Sequence, residues 1–170
     1  MAAAHKAIKA VVTDSNLTSG VNFGFGYWSS SWSSRAWPPG FSSWSGDITT
    51  GRAKPCDTQN CLKVRVHKDG AAQINKIISS VNARGGTDAY TFMKIAQDYY
   101  LHGSLSPVDK NAPCQKSYVL VIGDGDWYNH SNAVRMAKSL YNSHKIPTFA
   151  IAFGTGISNR GMRYFNELAQ

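Results

Sequence analysis

Two short polar segments of the sequence carry side chains that could bind a hard cation. One is the run 85–88, Gly-Gly-Thr-Asp, and the other is the run 123–126, Gly-Asp-Gly-Asp. Hydroxyl and carboxylate oxygens suit Mg²⁺, Mn²⁺ or Ca²⁺, whereas neither run offers the nitrogen and sulfur ligands that softer cations prefer. A divalent-cation site therefore requires a fold that brings the two runs together.

Each run also has a purely structural interpretation. Thr87 or Asp88 would cap a helix, because side-chain oxygens before the first helical turn accept hydrogen bonds from its free backbone N–H groups. Asp124 and Asp126 would act as turn formers between glycines. Either run alone is a weak signal. Their order, a glycine-led Thr before a helix and then a strand that ends in Asp-Gly, is more specific.

The second run also resembles a catalytic motif. Asp124-Gly-Asp126 is similar to the Asp-x-Asp loop of haloacid dehalogenase-type phosphotransferases, in which the first Asp is the nucleophile, the second is a general acid and base, and Mg²⁺ is bound. That family has Thr or Val where this chain has Tyr128, and it normally carries the motif near its N-terminus. An Mg²⁺-dependent phosphatase that uses Asp124 and Asp126 is therefore the alternative to a non-catalytic binding module.

The first part of the chain is predicted to hold a helix, two strands and a long insertion. Apolar residues at helical spacing from Ala3 to Val12 predict an opening helix, with an exit at Gly20. Strict alternation over 21–27 predicts a strand whose glycine face allows close packing, and alternation over 62–67 predicts an edge strand antiparallel to it. Between them, at about 28–60, a Trp- and Ser-rich stretch without any period predicts an irregular insertion.

The second part alternates between helix and strand. Apolar residues at helical spacing predict helices around 74–81, 92–100, 134–141 and 162–168. Continuous apolar runs at 118–122 and 147–153 predict parallel strands that are buried on both faces. The chain is thus predicted to be an α/β protein with a mostly parallel sheet and helices on both faces. Ligands of such sheets bind beyond the carboxyl ends of the strands, where both polar runs fall.

Length and composition predict one ordinary domain. The chain has 170 residues, 42% of them apolar, which is enough for a single core. No apolar run approaches the roughly 20 residues of a membrane-spanning helix. The net charge of +8 would favour anionic partners, but the basic residues are scattered, so a solvated basic surface is the simpler interpretation.

The three cysteines and five histidines point away from zinc and from nucleophilic catalysis. Cys56 and Cys61 flank a polar run that could fold back and close a disulfide ring, which indicates an oxidising compartment. Cys114 is left over, so its partner would lie outside this chain. The histidines fall singly at helix ends or in loops and are expected at the surface, without a Ser-His-Asp or Cys-His arrangement: His5, His67, His102, His130 and His144.

At the level of motifs, the chain resembles the von Willebrand factor A domain and its metal-ion-dependent adhesion site. Thr87 in GGTDAYTFM matches the second element of that site and Asp124 in YVLVIGDGDW matches the third. IPTFAIAFGTG (146–156) is similar to the next strand and loop, and Gly123 stands where the family usually has Thr. The resemblance implies a three-layer, Rossmann-like fold with Thr87 and Asp124 as ligands of Mg²⁺, Mn²⁺ or Ca²⁺.

The first element of the adhesion site, an Asp-x-Ser-x-Ser loop after the first strand, has no counterpart in the chain. Asp14-Ser15-Asn16-Leu17-Thr18 follows a helix and has Asn at the third position, so it does not qualify. The resemblance therefore implies that residues 1–170 form a single incomplete domain without the family's first, central strand and without its last strand. Two apolar strand edges would be exposed, and cation binding would be weak or absent in this chain.

Within the fold, the chain is most similar to the A-domain of the PilY family of type IV pilus tip proteins. The similarity rests on the Trp-rich insertion, on CDTQNCLKVRVHKDG (56–70) and on CQKSYVLVIGDG (114–125). It implies an exported, non-catalytic adhesion or protein-interaction module at the cell surface, outer membrane or pilus tip of a bacterium. Partners would be pilus components, another protein, or a surface or glycan ligand.

Four tryptophans of the insertion are candidates for the partner surface, since they lie in a Ser- and Gly-rich setting that is unlike an ordinary core: Trp28, Trp32, Trp37 and Trp44. A loop cluster packed on itself is the alternative interpretation. Nearby arginines would also suit single-stranded nucleic acid. The cysteine pattern points outside the cytosol, so no nucleic-acid partner is expected.

Overall fold

The computed structural model describes residues 2–28, 44–46, 53–55, 61–81, 87–101, 106–109, 111–112, 114–154 and 156–169. In chain order the first elements are helices α1 (Ala2–Thr13) and α2 (Ser15–Thr18), strands β1 (Phe23–Gly26), β2 (Trp44–Gly46), β3 (Ala53–Pro55) and β4 (Leu62–His67), helix α3 (Gly70–Ile77) and a 3₁₀ turn (Ile78–Ser80). Helix α4 (Ala89–Leu101), strand β5 (Val119–Gly123), helix α5 (His130–His144), strand β6 (Thr148–Ala152) and helix α6 (Asn159–Leu168) follow. The protein belongs to the α/β class, as predicted.

The described strands form three separate two-stranded sheets. Strands β1 and β4 are antiparallel, which confirms the predicted pairing, and β5 and β6 are parallel with Leu120 opposite Phe149 and Ile122 opposite Ile151. Strands β2 and β3 form a short antiparallel ladder, so the insertion at 28–60 is not wholly irregular. Among the described strands only β5 and β6 are parallel, so the predicted mostly parallel sheet is seen there as this one pair.

Glycines allow the close approaches of the β1–β4 sheet. A Cβ at Gly24 would lie 2.7 Å from Val66 Cγ2, so β4 packs where the sequence predicts a glycine face. At the start of α3, a Cβ at Gly70 would lie 2.8 Å from the carbonyl carbon of Phe23 and would overlap its oxygen. Helix α3 therefore sits directly on the backbone of β1.

The described residues form two apolar cores. The smaller core joins α1 and α3 to the β1–β4 sheet through Val12, Val64, Ala71, Ile74, Ile78 and Val81. The larger core places α4, α5 and α6 against the β5–β6 sheet, and its most deeply buried side chains are Met93, Leu140 and Leu168. The candidate site lies at the edge of this larger core.

Only one face of the β5–β6 sheet is covered. Val121 and Thr148 point into the larger core, whereas the opposite face leaves Leu120, Phe149 and Ile151 about half exposed, at 49%, 52% and 47%. The prediction that both strands are buried on both faces, with helices on either side of the sheet, was therefore wrong for the described residues. The physical reason is that α4, α5 and α6 all pack on the same side.

Two consecutive tyrosines of α4 connect the cores. The Tyr99 hydroxyl accepts a hydrogen bond from the backbone N–H of Val66 in β4 at 2.9 Å. The Tyr100 hydroxyl donates to the carbonyl of Tyr118, just before β5, at 2.8 Å. Trp28, just after β1, packs its ring on Phe92 of α4 at 4.6 Å between centroids. Helix α4 thus contacts both the β1–β4 sheet and the segment before β5.

Candidate functional site

The loop 124–129 leaves the carboxyl end of β5 and leads into α5. At this end the backbone N–H of Phe153 donates to the carbonyl of Gly123 at 2.9 Å, which aligns the ends of β5 and β6. Asp124 follows directly, and its Cβ lies 3.9 Å from the position that a Cβ on Gly154 would take. The second polar run therefore lies at the strand ends, where the sequence predicts a ligand site.

Backbone pairing brings the loop to the first polar run. The N–H of Tyr128 donates to the carbonyl of Thr87 at 3.1 Å, and the N–H of Ala89 donates to the carbonyl of Tyr128 at 3.0 Å. These bonds form a parallel bridge between Asp88 and Tyr128. The loop after β5 and the first run thus lie together at one rim of the larger core, although residues 85 and 86 lie outside the described residues.

Asp88 has the structural role that the sequence left open. Its side chain is fully buried, and Oδ1 accepts hydrogen bonds from the backbone N–H of Tyr90 and from the side-chain amide of Asn129, both at 3.0 Å. The first bond caps the N-terminus of α4. The second holds the loop at Asn129, whose backbone adopts the left-handed conformation with φ 57°. The capping interpretation is therefore correct for Asp88.

Asp126 is engaged by the N-terminus of α6. One carboxylate oxygen accepts from Ser158 Oγ at 2.5 Å, and the other accepts from Arg160 Nη2 at 2.7 Å and Nε at 3.1 Å. Hydrogen bonds from Ser158 and then from Arg160 lower the pKa of Asp126. A carboxylate held in this way is a poor general acid, because it keeps its charge.

Thr87 and Asp124 differ from these neighbours because their side chains are uncommitted. Thr87 is half buried and Asp124 is exposed, and within the described ranges neither the hydroxyl nor the carboxylate makes a hydrogen bond or an ion pair. An uncommitted hydroxyl and carboxylate at one rim suit a hard cation that keeps several of its waters, as Mg²⁺ does. The donor types fit such a cation, and the remaining ligands would be water or other oxygens.

Other donors do not add to this pair in the described part of the chain. There, no three His, Cys, Asp or Glu side chains lie close enough together to hold a metal ion. The assignment of Thr87 and Asp124 as ligands stays a prediction.

The larger core explains why residue 123 is a glycine. A Cβ at this position would lie 3.1 Å from Phe165 Cζ and 3.8 Å from Trp127 Cζ3. The rings of Trp127 and Phe165 pack on each other with centroids 4.4 Å apart and fill the space that a Thr side chain would need. The glycine thus accommodates an aromatic cluster under the loop.

His130 is a polar residue whose role the sequence analysis missed. It was expected at the surface, but its side chain is only 12% exposed and lies between Trp127 and Glu167, which is a correction. A lone histidine gives no sequence signal of this kind, because Glu167 lies 37 residues away and on another helix. Elsewhere in the described chain, His144 is exposed as expected.

The predicted partner surface is described only at its beginning. Trp28 is half buried and packs on Phe92, so it contributes to the core instead of an exposed aromatic surface. Trp32 and Trp37 lie outside the described residues, and the side chain of Trp44, in β2, does too. A partner surface at these positions stays a prediction.

The cysteines are described in part. Cys61 is buried and disulfide-bonded, whereas Cys114 is free and exposed. Cys56, its predicted partner, lies outside the described residues. A buried disulfide beside β4 would hold one end of the insertion against the smaller core.

Comparison with known proteins adds no relative to this description. No protein-family model matches the chain, and neither a curated protein nor a solved structure matches it. Among the described helices, none is long and apolar enough to cross a membrane.

Proposed function

We propose that the chain is a von Willebrand factor A-type module that binds a divalent cation through Thr87 and Asp124 and uses this site for adhesion or protein interaction. The proposed fold is the three-layer fold of that family, of which the described residues show the helices on one face of the β5–β6 sheet. The α/β order of the second half, with the parallel β5–β6 pair and the loop at its carboxyl end, supports the proposal.

One observation carries the proposal. Of the polar side chains that converge on the rim, Asp88 and Asp126 are committed to helix N-termini, whereas Thr87 and Asp124 are not. Asp88 and Asp126 therefore have structural roles, the first as a helix cap and the second as the ion-pair partner of Arg160. The side chains of Thr87 and Asp124 have no structural partner within the described ranges. They are also the two residues that match the adhesion-site motif.

The phosphatase alternative receives less support. It requires Asp126 to exchange a proton with a leaving group, but both of its carboxylate oxygens are bonded to Ser158 and Arg160, and its pKa is lowered. A general acid needs a pKa near the working pH. We therefore propose a non-catalytic module.

Calorimetric titration with MgCl₂, MnCl₂ and CaCl₂ tests the cation site. The wild type is expected to bind one of these cations, and Thr87→Ala or Asp124→Asn is expected to weaken binding by at least about tenfold, as the loss of a ligand does. Asp14→Asn is the matched control. Asp14 caps α2, a helix that contributes no residue to the larger core, and Asn serves equally well as a cap.

Two outcomes contradict the proposal. Equal affinity in the wild type, Thr87→Ala and Asp124→Asn would remove these residues as ligands, and no binding by the wild type would remove the cation from the function. Turnover of p-nitrophenyl phosphate that is lost in Asp124→Asn would instead favour the phosphatase.

For the cellular role, we propose export to the bacterial cell surface, outer membrane or pilus tip, with a pilus component, another protein, or a surface or glycan ligand as the partner. The buried disulfide at Cys61 supports an oxidising compartment. Labelling of intact cells with an impermeant reagent at the exposed Cys114 thiol tests this, and a thiol that reacts only after lysis would contradict it.

A further inference from the structure

His130 occupies a position between the loop 124–129 and helix α6. Its ring atom Nδ1 lies 3.2 Å from the indole nitrogen of Trp127, and Nε2 lies 2.6 Å from Oε2 of Glu167. The ring also stacks on Tyr164 of α6, with centroids 4.0 Å apart and planes 17° from parallel. His130 is thereby held by two hydrogen bonds and one ring contact.

The direction of both hydrogen bonds follows from the chemistry of the indole. An indole N–H can only donate, so Nδ1 of His130 must be the acceptor and carries no proton. The single proton of the neutral ring is then on Nε2, and it donates to the Glu167 carboxylate. Trp127 thus donates to His130, and His130 donates to Glu167.

A second ring proton would act differently on the two bonds. A proton on Nδ1 would face the N–H of Trp127, and two donors cannot share a hydrogen bond. The indole is 5% exposed, so its N–H would be left buried without an acceptor unless the ring moved. The bond to Glu167 would gain a charge pair instead.

Several charged groups surround the ring and bear on its protonation. On α6, Glu167 favours the charged ring, and Arg163, with Nε 3.5 Å from Glu167 Oε1, competes for that carboxylate. Lys138 of α5 also acts on Glu167. His130 is the first residue of α5, where the positive end of the helix disfavours a cation. From the loop and α4, Asp126 and Asp88 are already bonded to Arg160 and Asn129.

We propose that His130 is a proton-operated latch on the loop 124–129. In its neutral Nε2–H form, His130 links Trp127 to α6 by accepting a hydrogen bond from the indole and donating one to Glu167. A second ring proton breaks the bond to the indole, while the bond to Glu167 is kept. The loop that carries Asp124 and Asp126 then loses one of its anchors. This inference goes beyond cation binding and holds whether or not a cation binds.

Nitrogen-15 NMR of the full chain tests the latch directly. At neutral pH the spectra are expected to show a protonated Nε2 and an unprotonated Nδ1 for His130. As the sample is acidified, the Trp127 indole proton resonance should move together with the His130 ring signals. Trp127→Phe identifies that resonance by its loss and retains a ring in the core.

Two variants separate the latch from general effects of pH. His130→Gln retains one donor and one acceptor but cannot titrate, so its indole resonance should be insensitive to pH. At an acidic pH the indole proton should exchange about fivefold faster in the wild type than in this variant, a factor that corresponds to the loss of one hydrogen bond. His144→Gln, at the exposed end of α5, is the control and should behave as the wild type.

Two results would overturn the latch. One is a His130 ring with its neutral-state proton on Nδ1. The other is a Trp127 indole signal that does not follow the His130 titration in the wild type. Both measurements are made on the wild type, so they decide the question even if His130→Gln does not fold.

Discussion

Raising the pH should remove the stability that Tyr100 of α4 contributes through its bond to the segment before β5. Burial, and next the neighbouring Tyr99, raise the pKa of Tyr100 from 10.0 to about 12. Because the folded pKa lies above the unfolded one, the stabilisation is complete below pH 10 and is lost as the pH rises towards 12. At pH 11 the folded phenol is still mostly protonated while the unfolded one is mostly ionised, which costs about 1.4 kcal/mol, one pKa unit's worth.

The Tyr100→Phe variant makes this loss measurable against other titrating groups. At pH 8 the variant should be about 1 kcal/mol less stable than the wild type, because it lacks the hydrogen bond to the Tyr118 carbonyl. By pH 11 that difference should vanish, since the variant has no phenol to ionise at this position. Urea unfolding followed by far-UV circular dichroism at pH 8, 10 and 11 provides the comparison. An unchanged stability difference at pH 11 would refute the reasoning.

Two further predictions concern backbone packing and acid stability. Gly70→Ala should lower the free energy of unfolding, measured by urea titration, by roughly 1–3 kcal/mol, because the new Cβ would overlap backbone atoms of β1 that cannot rotate away. Gly20→Ala is the control and should be neutral or slightly stabilising, because no atom lies within 4 Å of its Cβ. Equal effects of the two substitutions would contradict the prediction. The hydrogen bond from His130 is the main cause that lowers the pKa of Glu167, so its contribution is present at pH values above the ordinary glutamate range and is lost as the pH falls through the lowered value. Glu167→Gln should therefore flatten the decline of the urea midpoint as the solution is acidified below the ordinary glutamate pKa, and an undiminished decline would count against the contact.

Much of the fold could be predicted from local sequence patterns. Alternation over 62–67 predicts β4 and its antiparallel partner, and the apolar run that ends in Gly-Asp-Gly-Asp predicts β5. These patterns depend only on neighbouring residues, so they survive without any knowledge of tertiary contacts. How many faces of the β5–β6 sheet are covered could not be predicted in this way. Leu120 and Phe149 are apolar and still half exposed, because a run of apolar residues cannot specify on which side the helices pack.

The candidate site could likewise be predicted only in part. The approach of the loop after β5 to the start of α4 could be anticipated, since both predicted runs fall at the end of a strand or the start of a helix. The hydrogen-bond partners of individual carboxylates could not be anticipated, because Asp126 bonds to residues at the N-terminus of α6, more than 30 residues later. His130 was placed at the surface for the same reason. Long-range side-chain contacts therefore decide which polar residues are left for a ligand.

The anchoring of the loop after β5 has a consequence for insertions and deletions. Four consecutive residues have four different partners: Asp126 at the N-terminus of α6, Trp127 in the larger core, Tyr128 on the Thr87 backbone and Asn129 on Asp88. One added or removed residue would shift every one of these side chains away from its partner at once. Single substitutions would each disturb one anchor. The number of residues in this loop should therefore tolerate change far less than their identities do.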